Sequence, residues 1–356
     1  MLKIMYLILY IALVIAPVLY FLYLLKEEHI LFKIFTVFMA FLSTIGILLK
    51  FNIKPYNPLF DQFVYICQFF TWAIYLLFIL VFLYRWSFRF IKRRPYRKGS
   101  VVICIIAFSL TIIGFQSAYV KQETKYHITI SKQSTMSSLK ICLLSDMHLG
   151  SGTYLAQVKS LVKKVNTKDY DLVLLAGDLF DESTPQGLMD DALKQMSHFH
   201  STYGTYVISG NHEYYGHHTD FSIYKKYHMR FLDNEYVCVK GLFNIVGFTD
   251  ATSHDSYSIK RVIRGMNTKL PTITMDHNPN RYASYLSFTD LQVSGHTHDG
   301  QIFPGNLILR FVFHNSYGVT STQGKSLIVS SGYGTWGFPF RLGTKSEAVT
   351  ISVSFS

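Results

Sequence analysis

The chain has 356 residues, of which 49% are hydrophobic and only 16% charged, and it carries 34 Lys and Arg against 22 Asp and Glu, a formal charge of +12. So high an apolar fraction excludes disorder and collagen-like repeats, and 4 cysteines are too few for a small disulfide scaffold. The charge is unevenly placed: residues 1–120 hold 12 basic and 3 acidic side chains and the remainder 22 and 19, so a polyanion-binding domain does not explain it.

The first third contains four apolar runs, at about 2–25, 30–49, 62–84 and 101–120. Each is close to the roughly 20 residues that cross the hydrocarbon core of a bilayer at about 1.5 Å per residue. A removable signal peptide ends after one such run, and core helices of a large soluble protein rarely stay apolar on every face, so the expectation is an all-α four-helix transmembrane region. Between the third and fourth runs stand Arg85, Arg89, Lys92, Arg93, Arg94, Arg97 and Lys98, the densest basic cluster in the chain. Short loops rich in Lys and Arg stay cytoplasmic. That rule makes the protein a multi-pass component of the cell membrane and places Lys121 onward outside the cytoplasm. Lys26 and Lys33 then fall inside, in agreement, whereas Lys50 and Lys54 fall outside and oppose it.

Residues 121–138 are polar and rich in Ser and Thr, which predicts a linker leaving the membrane. From Leu139 short apolar runs alternate with amphipathic stretches, predicting an α/β domain over 139–356. Leu139–Ser145, Asp171–Ala176, Thr205–Ser209, Pro271–Met275 and Asp290–Ser294 read as buried strands, with further strands at 236–239, 243–246, 327–329 and 347–353. Helices are expected at Tyr154–Val165, Gly187–Phe199 and Asp220–His228.

The chemistry sits at the ends of those strands. Successive strands run into Ser145-Asp146-Met147-His148, Gly177-Asp178, Gly210-Asn211-His212-Glu213, Asp276-His277 and Gly295-His296-Thr297-His298. A single such residue is more often structural. Five deliveries of metal-capable oxygen and nitrogen side chains in succession mark the crevice where open α/β sheets place their sites. Carboxylates with neutral imidazoles, and no Cys among them, suit borderline divalent ions such as Mn, Zn, Fe or Ni.

The series DMH, GDLFD, GNHE, DH and GHTH resembles the signature blocks of the calcineurin-like metallophosphoesterase superfamily, over essentially all of 139–356. The run from Gly295 to Ile302, with Gly334-Thr335-Trp336-Gly337 and Arg341, is similar to its bacterial membrane-associated branch, which usually has Gly where this chain has Asp299. The resemblance implies two β-sheets packed as a sandwich and flanked by helices. It also implies two divalent metal ions, one held by Asp146, His148 and His298, the other by Asn211, His277 and His296, with Asp178 bridging. Such a site hydrolyses a phosphomonoester, phosphodiester or pyrophosphate by attack of metal-activated water, on a phosphorylated small molecule or, given the membrane runs, a lipid or envelope substrate. His212, beside the ligands, is the candidate to protonate the leaving oxygen or steady the phosphoryl group; the alternative is a hydrogen bond that orients a ligand.

Asp181 and Glu213 are candidate acceptors for ligand imidazoles, or ordinary loop residues. His217 and His218 with His198 and His200 offer a weaker second cluster. The stretch 333–340 is a lid or lipid-contacting lip beside the site, or a packed loop. Two other functions stay open: cleavage of UDP-2,3-diacylglucosamine, which requires the catalytic domain on the cytoplasmic side, and an inactive sensor or binding protein, against which the complete residue set counts. No disulfide is implied by Cys67, Cys104, Cys142 and Cys238.

Overall fold

A computed structural model describes residues 97–356, apart from 133, 151, 152, 183, 217, 254–257 and 338, together with residues 38, 41, 69, 73, 76, 79–88 and 90. The expected span at 2–25, nearly all of that at 30–49 and more than half of that at 62–84 lie outside the described residues. Helix α1 (Arg97–Tyr119) covers the fourth run. Counted over the described residues, which leave out the side chains of 97–101 and 104, no helix is long and apolar enough to cross a membrane. The chain divides into two units, Met1–Gln116 and Ser117–Ser356.

The second unit is built from twelve strands: β1 (Lys121–Ile130), β2 (Ser138–Leu144), β3 (Leu172–Ala176), β4 (Thr205–Ile208), β5 (Arg230–Phe231), β6 (Glu235–Val239), β7 (Phe243–Gly247), β8 (Thr272–Met275), β9 (Leu291–Ser294), β10 (Gly318–Thr322), β11 (Lys325–Val329) and β12 (Ser346–Phe355). They form two mixed six-stranded sheets, ordered β1-β12-β2-β3-β4-β5 and β10-β11-β9-β8-β7-β6. Alternation on each strand explains their packing. Leu139, Ile141 and Leu143 of β2 and Leu172, Leu174 and Ala176 of β3 meet Ile245, Ile273, Met275, Leu291 and Val293 of the second sheet in one core. The intervening Cys142, Leu144, Val173 and Leu175 point to the other face, covered by helices α2 (Leu155–Asn166) and α3 (Gln186–Met196). Strands covered on both faces read as continuous apolar runs, which is why the sequence marks them so clearly. The shorter helices are α4 (Asn211–Tyr215), α5 (Ser222–Lys226), α6 (Ile259–Val262), α7 (Tyr282–Tyr285) and α8 (Gly305–Val312).

The linker expected at 121–138 is a strand for its first ten residues. β1 pairs in parallel with β12 from Lys121 to Ile130. Its inward positions Ile128 and Ile130 are buried, while Lys121, Glu123, Lys125, His127 and Thr129 on the opposite face gave the segment its linker-like composition.

β2, β3 and β4 are mutually parallel, as are β7, β8 and β9. Their carboxyl ends carry the motif loops, which places the loops of both sheets at one crevice.

Candidate metal centre

The motif loops continue the strand pairing beyond the strands. Asp146 N donates to Gly177 O (3.0 Å), His148 N to Asp178 O (3.1 Å) and Leu149 N to Leu179 O (2.9 Å). Glu213 fixes the second loop from beneath: its carboxylate accepts from the backbone N–H of Asp178 (3.1 Å), Leu179 (2.7 Å), Phe180 (3.2 Å) and Gly210 (2.7 Å). It binds main chain, not the imidazole acceptor role that its position suggests. Burial and the charge of Asp178 raise its carboxyl above the ordinary range.

Within this scaffold Asp146, His148, Asp178, His296 and His298 all adopt left-handed backbone, with φ between 45° and 73°. Such conformations cost energy for residues with a side chain and persist where the surroundings over-determine them, a concentration typical of functional sites. Glycine is demanded by close approach at two points. A Cβ on Gly210 would collide with the Asp178 carboxylate, and one on Gly295 with Asp146 and Ser145.

The structure brings six of the seven expected ligands into two converging groups, Asp146/His148/His298 and Asp178/His277/His296, with ligand atoms within 4.8 Å in each. The seventh, Asn211, sets its Oδ1 2.9 Å from His296 Nδ1. Each carboxylate divides its duty. Asp178 Oδ1 accepts from His212 N (2.8 Å), leaving Oδ2 3.0 Å from His277 Nε2 and 3.9 Å from His148 Nε2, between the two groups. Asp146 accepts from His296 N and holds Oδ1 3.4 Å from His298 Nε2 and 3.9 Å from His277 Nε2.

These residues fit a bound cation on the chemistry of their donors. His277 donates through Nδ1 to Ala176 O (2.7 Å), which fixes the ring with Nε2 facing inward. That buried Nε2 has no hydrogen bond although a carboxylate oxygen lies 3.0 Å away. His148 likewise faces Asp181 Oδ1 through Nδ1 (2.7 Å) and presents Nε2 to His298 Nε2 at 3.0 Å. Acceptors pressed together without donors are stabilised by positive charge. Burial disfavours protonation of both rings, yet the carboxylates outweigh it: Asp181 chiefly pushes His148 up to about 9, and Asp178 chiefly lifts His277 well above the ordinary imidazole range. Asp178 is in turn pulled down, against burial, by the charge of His277. His296 and His298 are pushed down, first by burial and then by neighbouring cationic rings. Thus Asp181, named as a candidate acceptor, orients a ligand imidazole as such residues do in metal sites.

His212 lies at the crevice wall, its ring T-shaped against His148 with centroids 4.7 Å apart. Nδ1 is 3.2 Å from Glu182 Oε1 and 3.5 Å from Asp181 Oδ1, close enough for ion pairing but not aligned for a hydrogen bond. Burial lowers its proton affinity, and Glu182 and Asp178 overcome this to raise it. Glu182 carries no motif signal, and sequence reasoning missed it. Arg341, noted only through resemblance, is fully buried; it donates to the carbonyls of His298, Ser331 and Gly334 and approaches His298 Nδ1 at 3.3 Å. It therefore positions the loop and ring of a candidate ligand.

Asp299 stands where the bacterial membrane-associated branch usually has Gly. It has φ 51°, a conformation that suits Gly, and it joins none of the converging groups among the described residues. Burial raises its carboxyl to about 6 against the opposing charges of Arg341 and Arg310. His217 lies outside the described residues, and His198, His200 and His218 do not come together as a metal group among those described; His218 Nε2 instead donates to Asp181 O at 3.1 Å. Cys238, in β6, is exposed, so an outward-facing domain would carry an unprotected thiol.

The crevice opens into a cavity of about 480 Å³ whose polar floor includes Asp178, Asn211, His296 and His298, and whose other walls include Tyr215, Leu309, Phe313 and Trp336.

Known proteins share these features. The family model described as calcineurin-like phosphoesterase matches residues 139–300. An uncharacterised metallophosphoesterase of Helicobacter pylori strain J99 is 34% identical over 268 residues, 70% of each chain. Its counterpart in strain 26695 is 32% identical over 301 residues, 79% of each chain. A transmembrane protein with metallophosphoesterase domain from Bos taurus is 31% identical over 286 residues, 73% of this chain and 63% of that one. The motif order, the convergence of its residues and these likenesses agree: the chain belongs to the calcineurin-like metallophosphoesterases and is a phosphoester hydrolase.

Proposed function

We propose that the site holds two divalent ions, one on Asp146, His148 and His298, the other on Asn211, His277 and His296, with Asp178 between them, and hydrolyses a phosphomonoester, phosphodiester or pyrophosphate bond. The observation that carries this reading is the pair of converging groups, with Asp178 Oδ2 3.0 Å from His277 Nε2 in one and 3.9 Å from His148 Nε2 in the other, and with His277 Nε2 buried and lacking a hydrogen bond. Divalent ions bound there supply positive charge for the phosphoryl oxygens and a water acidified toward neutral pH. The protein's own part is orientation: Asp181 and Ala176 O set the rings of His148 and His277, and Asn211 ligates without adding negative charge. His212 protonates the leaving oxygen, with Glu182 and Asp181 steadying its ring. Metal analysis of the purified chain, with hydrolysis of p-nitrophenyl and bis-p-nitrophenyl phosphate, tests the assignment; a protein that binds about two ions and cleaves neither ester, nor any member of a lipid panel, refutes it.

Integral membrane attachment belongs to the same proposal. It is supported by the four apolar runs and by α1, whose Val102, Ile105, Phe108, Ile112 and Ile113 are exposed, the reverse of a helix amphipathic toward water. The basic cluster at 85–98 favours an extracytoplasmic catalytic domain and a membrane or envelope substrate. The exposed thiol of Cys238 favours the second reading, a reducing cytoplasmic side and cleavage of UDP-2,3-diacylglucosamine. A membrane-impermeant maleimide separates them. Labelling of Cys238 in intact cells supports the first, and labelling only after permeabilisation the second.

A further inference from the structure

The exposed surface of helix α8 is mostly apolar, with Arg310 its one exposed charge. Leu307, Ile308, Phe311 and Val312 are exposed, Phe311 at 92%, and Phe303 and Trp336 are exposed nearby in sequence or structure. Leu309 and Phe313, four residues apart and so on one face of the helix, line the cavity above the metal-capable residues. The helix is therefore apolar both toward the cavity and away from it. Gln301 binds the helix approach to the Trp336 loop: its Oε1 accepts from Trp336 N (2.8 Å) and its Nε2 donates to Trp336 O (3.0 Å). Neither 300–317 nor 333–343 contains an acidic residue, and α8 carries one charge, the exposed Arg310.

We propose that α8 and the Trp336 loop form a fixed lip that seats on the surface of an anionic lipid bilayer, so that a lipid phosphoester enters the cavity with its apolar portion lying along Leu309 and Phe313. The inference rests on the phosphoesterase reading and names the substrate class that this reading leaves open. Three observations select a bilayer as the occupant. The lip pairs Trp and Phe with an isolated Arg and no acid, the composition that partitions into an anionic interface. The apolar helix α1 ends at Tyr119 and β1 begins at Lys121, so a single residue of tether follows the last apolar run. The apolar surface is continuous, through one helix, with the wall of the cavity.

The test uses the full chain, its four native cysteines replaced by Ala, in phosphatidylcholine–phosphatidylglycerol nanodiscs with and without doxyl-labelled lipid. An environment-sensitive NBD probe is attached at Phe311→Cys, at Ile308→Cys as an independent second position, or at Lys240→Cys. Lys240 precedes β7, at the end of the second sheet opposite the crevice. The expected result is blue-shifted emission quenched by doxyl lipid at 311 and 308, with neither effect at 240. Unquenched emission at both lip positions overturns the proposal, as does a blue shift without lipid quenching, which marks burial against a second copy of the chain. Hydrolysis of p-nitrophenyl phosphate, bis-p-nitrophenyl phosphate or any member of the lipid panel by the unlabelled wild-type nanodiscs reports the phosphoesterase reading separately. Quenching without hydrolysis upholds the lip and overturns the catalytic assignment, whereas hydrolysis without quenching does the reverse.

Discussion

The two sheets bring unlike chemistry to the same crevice. Loops after β2, β3 and β4 deliver both carboxylates, Asp146 and Asp178, with the amide of Asn211 and the ring of His148; loops after β8 and β9 deliver only imidazoles, His277, His296 and His298. Each converging group draws members from both sheets. The candidate carboxylate ligands thus stand on one wall and three of the four imidazoles on the other, and neither wall alone offers a complete set. The site is a property of the seam, and the apolar core between the sheets sets the spacing of the ligands.

The sharpest way to break the seam is Gly295→Ala. Its Cβ would meet Asp146 and Ser145 of the opposite sheet, so the walls must part, at a cost of about 3 kcal/mol. The expected outcome is loss of bound metal and of p-nitrophenyl phosphate hydrolysis, read by metal analysis and by assay. Asp178→Asn leaves the walls in place but removes the charge between the two groups; the rate should fall roughly 10³-fold, with less metal retained. His212→Ala tests the wall without touching the seam. A fall of about 10²-fold in kcat at unchanged metal content is expected, and loss of metal would move His212 into the ligand set.

Chelation tests the seam as a staple. Ions that hold residues of both sheets stabilise the folded domain by about 2.7 kcal/mol at a concentration near a hundred times Kd. Thermal unfolding should then shift down by roughly 5–10 °C on metal removal. The smallest effect is expected away from the seam: burial pushes the Cys142 thiol up to about 12, while Cys238 is exposed. Iodoacetamide should modify Cys238 in the native protein without changing metal content and reach Cys142 only after unfolding.

The sandwich was legible in the sequence wherever strands are covered on both faces. β2, β3, β4, β8 and β9 stand out as apolar runs, and the loops that follow them hold the residues that converge. β1 was not legible, because an edge strand exposes the polar half of KQETKYHITI and composition outweighed its alternation. β5 has two residues, and β10 is a half-exposed hairpin arm, so neither carries a pattern. Within the site, side chains that follow strands were visible, whereas partners defined by three-dimensional approach were not. Glu213 serves backbone amides, which leave no trace in residue identity; Glu182 meets His212 only after two loops fold together; and α8 is too short for periodicity to separate a helix from an apolar strand.

The grip of Glu213 on the Asp178 loop also orders events during synthesis. Three of its four bonds reach back 33 to 35 positions along the chain, so the amides of the loop bearing Asp178 lack this carboxylate until β4 and the start of α4 have left the ribosome. The candidate ligands themselves run from Asp146 to His298. A nascent chain halted before His296 would possess both carboxylates of the candidate set and only two of its four imidazoles. Completion of the set therefore waits for the loop that follows β9, when the second wall arrives.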